Sequence, residues 1–181
     1  MCSAFTASDG PGQPTVLRDK LITAFKTNCR PTIKICSFDT APSDPIRYTV
    51  LKDAFRMPFR VNFSVKASQI AKLALSGNGT DASIFTAICI GCGWGDETII
   101  RACHPYTCYT RLEIYDEAGI LDPSEYRSFW IEYEMGTVRI GKGGVTDAIL
   151  EWNAEAYHGR VPTQVYVGVS TASSEGSWKF C

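Results

Sequence analysis

"FRVNFSVKA", residues 59–67, is the stretch on which the reading of the fold turns. Phe59, Val61, Phe63 and Val65 alternate with Arg60, Asn62, Ser64 and Lys66. Successive side chains of a strand point to opposite faces, so a period of two sorts apolar from polar residues cleanly. On a helix the same residues would scatter around the axis. One apolar and one solvated face is what an antiparallel sheet covering a core requires.

The same period recurs on both sides of this stretch. Ile33 and Ile35 alternate with Thr32, Lys34 and Cys36; Ile84, Ile88 and Ile90 share a face with Thr86, and Leu112 shares one with Ile114. Phe129, Ile131 and Tyr133 lead through "EMGT" (134–137) to Val138 and Ile140, and Val165, Val167 and Val169 form the last clear run. Turn signals separate the runs at "GNGTD" (77–81), "EAG" (117–119), "MG" (135–136) and "GKGG" (141–144). In "NGT" (78–80), Asn-Gly favours a type I′ hairpin turn, and the triplet is an acceptor for N-linked glycan in a secreted eukaryotic chain. Many short strands and few helices predict an all-β fold, an antiparallel β-sandwich of jelly-roll type. The one helical signal is "VLRDKLITAFKT" (16–27), with Leu17, Leu21, Ile22 and Phe25 at helical spacing, and a strand competes there. Residues 1–14, rich in Ser, Gly and Pro, read as an arm. The expected organisation is an N-terminal arm and extension, 1–45, packed on a sandwich domain at 46–181.

Composition bounds the function. The chain has 181 residues, 45% hydrophobic and 20% charged, as one ordinary globular domain would. A net charge of −1 without a Lys/Arg run gives no electrostatic case for nucleic acid. No uninterrupted apolar stretch approaches the roughly 18–20 residues of a membrane-spanning helix. The first residues lack a charged start with an apolar core, so no signal peptide is legible. Against that, the eight cysteines (Cys2, Cys29, Cys36, Cys89, Cys92, Cys103, Cys108 and Cys181) form an even, dense set. Such a set predicts disulfides and a secreted, extracellular protein, with the pairing left open.

"CIGCGWGDETIIR" (89–101) holds the densest chemistry. A phosphate-cradling loop must open a helix, but here Thr98, Ile99 and Ile100 prefer a strand. Cys89-x-x-Cys92 with Cys103, Cys108 and His104 could hold zinc, yet disulfides explain the same residues without a metal. His104 and His158 sit in no catalytic frame, and no Gly-x-Ser-x-Gly elbow occurs. "LDPSEYRSFW" (121–130) offers Asp122 and Glu125 to calcium or sugar, but Asp-Pro-x-Glu also reads as the capped start of a helix. The remaining reading is a sugar site: Trp94 stacks on a pyranose while Asp96, Glu97 and Arg101 hydrogen-bond its hydroxyls. The competing reading makes Trp94 a core residue, leaving Trp152 and Asn153 as the next place to look.

"FSVKA" (63–67), "GCGWGDETIIR" (91–101), "SEYRSFWIEYEMGTVRIGKGG" (124–144) and "VGVSTASSEGSWKFC" (167–181) together resemble the farnesoic acid O-methyltransferase-like domain. The resemblance runs in order over roughly residues 46–181. It implies a β-sandwich module of invertebrate and large extracellular proteins. The family's name implies an S-adenosylmethionine-dependent methyltransferase, whereas that cofactor normally sits in a doubly wound α/β fold, and the alternation here is all-β. The expectation is therefore a non-catalytic carbohydrate-binding protein, a lectin, without a cofactor. Glycans are its expected partners, in a homo-oligomer that raises avidity. Calcium could join through the carboxylates. The alternatives are the methyltransferase of the family's name and a protein-interaction module without a sugar site.

Overall fold

The computed structural model describes residues 37–42, 48–104, 107–159 and 162–180. The helix expected over 16–27, the alternation at Ile33 and Ile35, and Cys2, Cys29, Cys36 and Cys181 lie outside them.

Two antiparallel sheets make a sandwich. In the first, β1 (Ser37–Thr40) pairs with β13 (Gly176–Lys179), followed by β4 (Phe59–Ala67), β9 (Arg127–Glu134), β10 (Thr137–Lys142) and β11 (Leu150–Asn153). In the second, the order is β2 (Thr49–Val50), β12 (Gln164–Thr171), β5 (Ala71–Ser76), β6 (Ile84–Cys92), β7 (Glu97–His104) and β8 (Thr107–Asp116), with β3 (Phe55–Arg56) also on β12. A short helix α1 (Ala154–His158) is capped by Asn153, whose side chain accepts from the Ala156 N–H, and ends at Gly159 in the left-handed conformation.

β4 bears out the alternation residue by residue: Phe59, Val61, Phe63, Val65 and Ala67 are buried, while the residues between them are exposed or half-buried. With Phe129, Ile131 and Tyr133 of β9 they face Leu73, Leu75, Val165, Val167 and Val169 of the other sheet across one core. Aromatic rings fill its middle, with Phe63 5.7 Å from both Phe129 and Phe180.

Elsewhere the period breaks, for local reasons. Ile84 was expected beside Ile88 and Ile90. Opposite β5, however, Ser76 pairs with Ile84 and Leu75 with Thr86, so a bulge at Phe85 sends Ile84 to the outer face. A second irregularity between β7 and β8 leaves Ile114 opposite Ile99 on that outer side, 46% exposed, while Leu112 packs on the core. The type I′ turn at "NG" is replaced by a longer loop, 77–83, in which only Gly79 has positive φ. Asn78 stays exposed there, its Oδ1 accepting from the Thr80 N–H at 3.0 Å. The helix expected after Asp122 does not form. The Asp122 carboxylate instead closes a turn, accepting from the Ser124 hydroxyl and from the Ser124 and Glu125 N–H groups. The Ser124 hydroxyl first, then these two N–H groups, hold its pKa down to about 2.

The cysteine expectation becomes specific: Cys89 pairs with Cys92 and Cys103 with Cys108. Both bridges close very short loops, so the chain-entropy gain sits at the bottom of the usual range. Replacing Cys103 and Cys108 together by serine is expected to cost about 2 kcal/mol in urea unfolding. A loss above about 4 kcal/mol would show that the bridge does more than shorten the unfolded chain.

Candidate functional site

The stretch 89–101 spans the end of β6, a turn, and most of β7. The Gly95 N–H donates to the Cys92 carbonyl at 3.1 Å, so 92–95 is a tight turn with Gly93 and Trp94 at its centre. Gly93 has φ +64° and Gly95 φ +102°, conformations an L side chain resists, which is why glycines flank the tryptophan. The Cys89–Cys92 bridge staples the strand that enters the turn. Trp94 itself is 97% exposed, whereas Trp130, Trp152 and Trp178 are buried. The competing core reading of Trp94 is therefore overturned, and the fallback at Trp152 is closed, since that ring packs against Tyr157 and His158.

Glu97 and Arg101 lie on the same, outward face of β7, because they are four residues apart in a strand. Asp96 stays in the turn, exposed, and its carbonyl accepts from the Glu117 N–H at 2.7 Å. Register places Arg101 directly opposite Arg111 of β8, and the Arg111 guanidinium donates to the Glu97 carboxylate. Glu97 thus neutralises one of two facing arginines.

Next to the turn, the outer face of the second sheet is hollowed into a groove of about 480 Å³, the size of a small-ligand site. Cys89, Cys92, Ile84 and Ala87 form part of its lining, together with the polar groups of Tyr48, Lys72, Asp81 and Arg101. Burial, reinforced by Asp81 and opposed by Arg101, pushes the Tyr48 phenol up to about 12. Burial and then Arg101 lower the Lys72 pKa; burial and then Arg111 lower that of Arg101, with Glu97 and Tyr48 opposing. Among the described residues no group of three or more His, Cys, Asp or Glu side chains is placed to hold a metal ion.

The sequence profile of farnesoic acid O-methyl transferases matches residues 43–181, which contain the turn and the groove. The chain belongs to that family. Two solved structures with a TM-score above 0.5 share the fold of this farnesoic acid O-methyl transferase family member. One is the carbohydrate-binding module CBM66 from Bacillus subtilis, with TM-score 0.53 and 9% identity over 74% of this chain and 78% of that one. The other is galectin-Ib from Xenopus laevis, with TM-score 0.51 and 9% identity over 72% of this chain and 99% of that one. At such identity they establish a shared β-sandwich and nothing finer. No curated protein matches the chain in sequence.

Of the expected sugar residues, the family member's fold keeps Trp94 and Asp96 on the turn, pairs Glu97 with Arg111, and gives Arg101 to the groove. Sequence reasoning missed Lys72, Asp81, Arg111 and Tyr48. Lys72 had a signal, a lone charge between buried Ala71 and Leu73 in "AKLALS". Tyr48 had none, because its place depends on β2 docking beside Gly168.

Proposed function

We propose that this protein is a glycan-binding module that acts without catalysis, with Trp94 as its stacking platform. The observation that carries the reading is the Trp94 indole, 97% exposed on a glycine-flanked, disulfide-stapled turn two residues beyond a cysteine that lines the groove. A rigid exposed aromatic offers its face to the C–H side of a pyranose at little ordering cost. Asp96 beside it, and Glu97 and Arg101 on β7, supply hydrogen-bonding groups for hydroxyls. The sandwich shared with a carbohydrate-binding module and a galectin supports the same reading by analogy of fold.

Supporting the non-catalytic side, the strands of both sheets pair antiparallel, unlike the doubly wound parallel sheet expected around S-adenosylmethionine. His158 is engaged in packing, its Nε2 3.0 Å from the Phe85 carbonyl and its ring against Trp152. Two disulfides support a secreted, extracellular setting. In that setting Asn78 is accessible to glycosylation, and self-association would multiply shallow sites.

The test is retention on a panel of immobilised glycans, with and without chelator. Trp94→Ala is expected to weaken retention about tenfold or more, as loss of an aromatic anchor does. Its unfolding free energy should stay within about 0.5 kcal/mol of the parent, since the ring covers no core. Undiminished retention by the variant would refute Trp94 as the platform.

A further inference from the structure

The outer face of the first sheet carries a continuous row of paired charges. On the first sheet, register sets Arg60, Glu132, Arg139 and Glu151 side by side across β4, β9, β10 and β11. Arg139 meets Glu132 at 3.0 Å and Glu151 at 2.6 Å, and Arg60 lies 3.8 Å from Glu132 and 3.7 Å over the Trp130 ring. Every charge of that row has a partner of opposite sign.

The groove on the second sheet differs. Lys72 on β5 pairs in register with Cys89, and Arg101 on β7 with Ala87. Both therefore project from the same face, two strands apart, roughly 10 Å across the sheet. The floor between them is short: Ala87 and Cys89 of β6, the latter tied back to Cys92. Two long cationic side chains over a low floor leave room for a group between their tips. Among the described residues neither cation is in a salt bridge, because the nearest outward carboxylate on β7, that of Glu97, is taken by Arg111. Asp81, on the loop before β6, is the one carboxylate among the groove's described lining residues, against two cations. Both cations are half-buried; after burial, Arg101 disfavours the charge on Lys72 and Arg111 that on Arg101, so an anion placed between Lys72 and Arg101 relieves a repulsion the fold leaves standing.

We infer that this groove holds an anionic substituent of the bound glycan, a sulfate ester or a carboxylate, between the Lys72 ammonium and the Arg101 guanidinium; the inference rests on the glycan-binding reading above. The guanidinium fork matches two oxygens of either group, and the ammonium adds a point charge. Trp94, two residues beyond the groove-lining Cys92, would then hold the ring that carries the substituent.

Calorimetric titration with three oligosaccharides tests it: chondroitin sulfate, chemically desulfated chondroitin, which keeps only its uronate, and neutral chitin oligosaccharide. The expected result is binding of an acidic ligand about tenfold tighter than the neutral one, the scale of one charge-assisted contact. Equal binding of the two chondroitins would assign the anion as carboxylate; preference for the sulfated form would assign it as sulfate. Lys72→Gln should remove most of the acidic preference without changing neutral binding, while Lys72→Arg keeps it; Arg101→Gln should remove that preference and weaken neutral binding as well, because Arg101 also serves the hydroxyls. Arg139→Gln, on the other sheet, should leave it intact. Acidic and neutral ligands bound equally well, or a preference that survives both groove variants or falls equally with Arg139→Gln, would overturn the anion site and leave the glycan reading standing. Failure to bind any of the three would overturn both.

Discussion

Trp178→Ala is expected to destabilise the protein by about 3–5 kcal/mol in urea unfolding, a large part of the margin of an ordinary domain. Trp178 is fully buried, with ring centroids 6.0 Å from Phe63 and 6.4 Å from Phe180. Truncation leaves a cavity that the paired strands on either side, β1 and β4, cannot collapse to fill. The indole also donates from Nε1 to the Thr40 hydroxyl at 3.0 Å, and Thr40 in turn contacts the Thr171 hydroxyl at 2.9 Å on the other sheet. That chain ties the two sheets together at one edge. Trp178→Phe separates the contributions: it keeps most of the ring and removes the donor, so its cost should be about 1–3 kcal/mol. A Phe variant as unstable as the Ala variant would place the main contribution in the hydrogen bond rather than the packing.

Gly141→Ala, a single added methyl, should cost about 1–3 kcal/mol or more. A Cβ built at Gly141 would land on the Trp130 ring, against Cε2 and Cζ2. The ring cannot step aside, because its Nε1 donates to the Val145 carbonyl at 2.8 Å and Arg60 covers it at 3.7 Å. Gly141 has no positive φ, so the penalty comes from the clash and not from backbone strain. The check is a double-mutant cycle with Trp130→Leu. The added methyl should cost markedly less once the indole is gone, with a coupling of about 0.5–3 kcal/mol. Simple additivity of the two changes would contradict the contact.

"GKGG" shows how far a local signal reaches. Read alone, it marks a turn, yet Gly141 and Lys142 continue β10 and only Gly143 and Gly144 turn. The first glycine is there to admit a tryptophan from the neighbouring strand, a need that arises only once β9 and β10 are paired. The same limit applies at Asp122, where a capping pattern closes a turn without a helix behind it.

What the sequence determined by itself is the fold class and one element of the candidate site. Strict alternation over 59–67 required a strand with one buried face, and the glycines around Trp94 required a turn, because both depend only on neighbouring residues. Only the tertiary structure decided that Trp94 faces solvent, that Glu97 is taken by Arg111, and that Ile84 is displaced from the face of Ile88 by a bulge. It alone gathers Tyr48, Lys72, Asp81 and Arg101 into one groove, by pairing strands in the order β2, β12, β5, β6, β7. Periodicity tells each strand which residues face outward, but strand order and register are set by burial across the whole sandwich, so residues distant in sequence become neighbours only when the sheet is assembled.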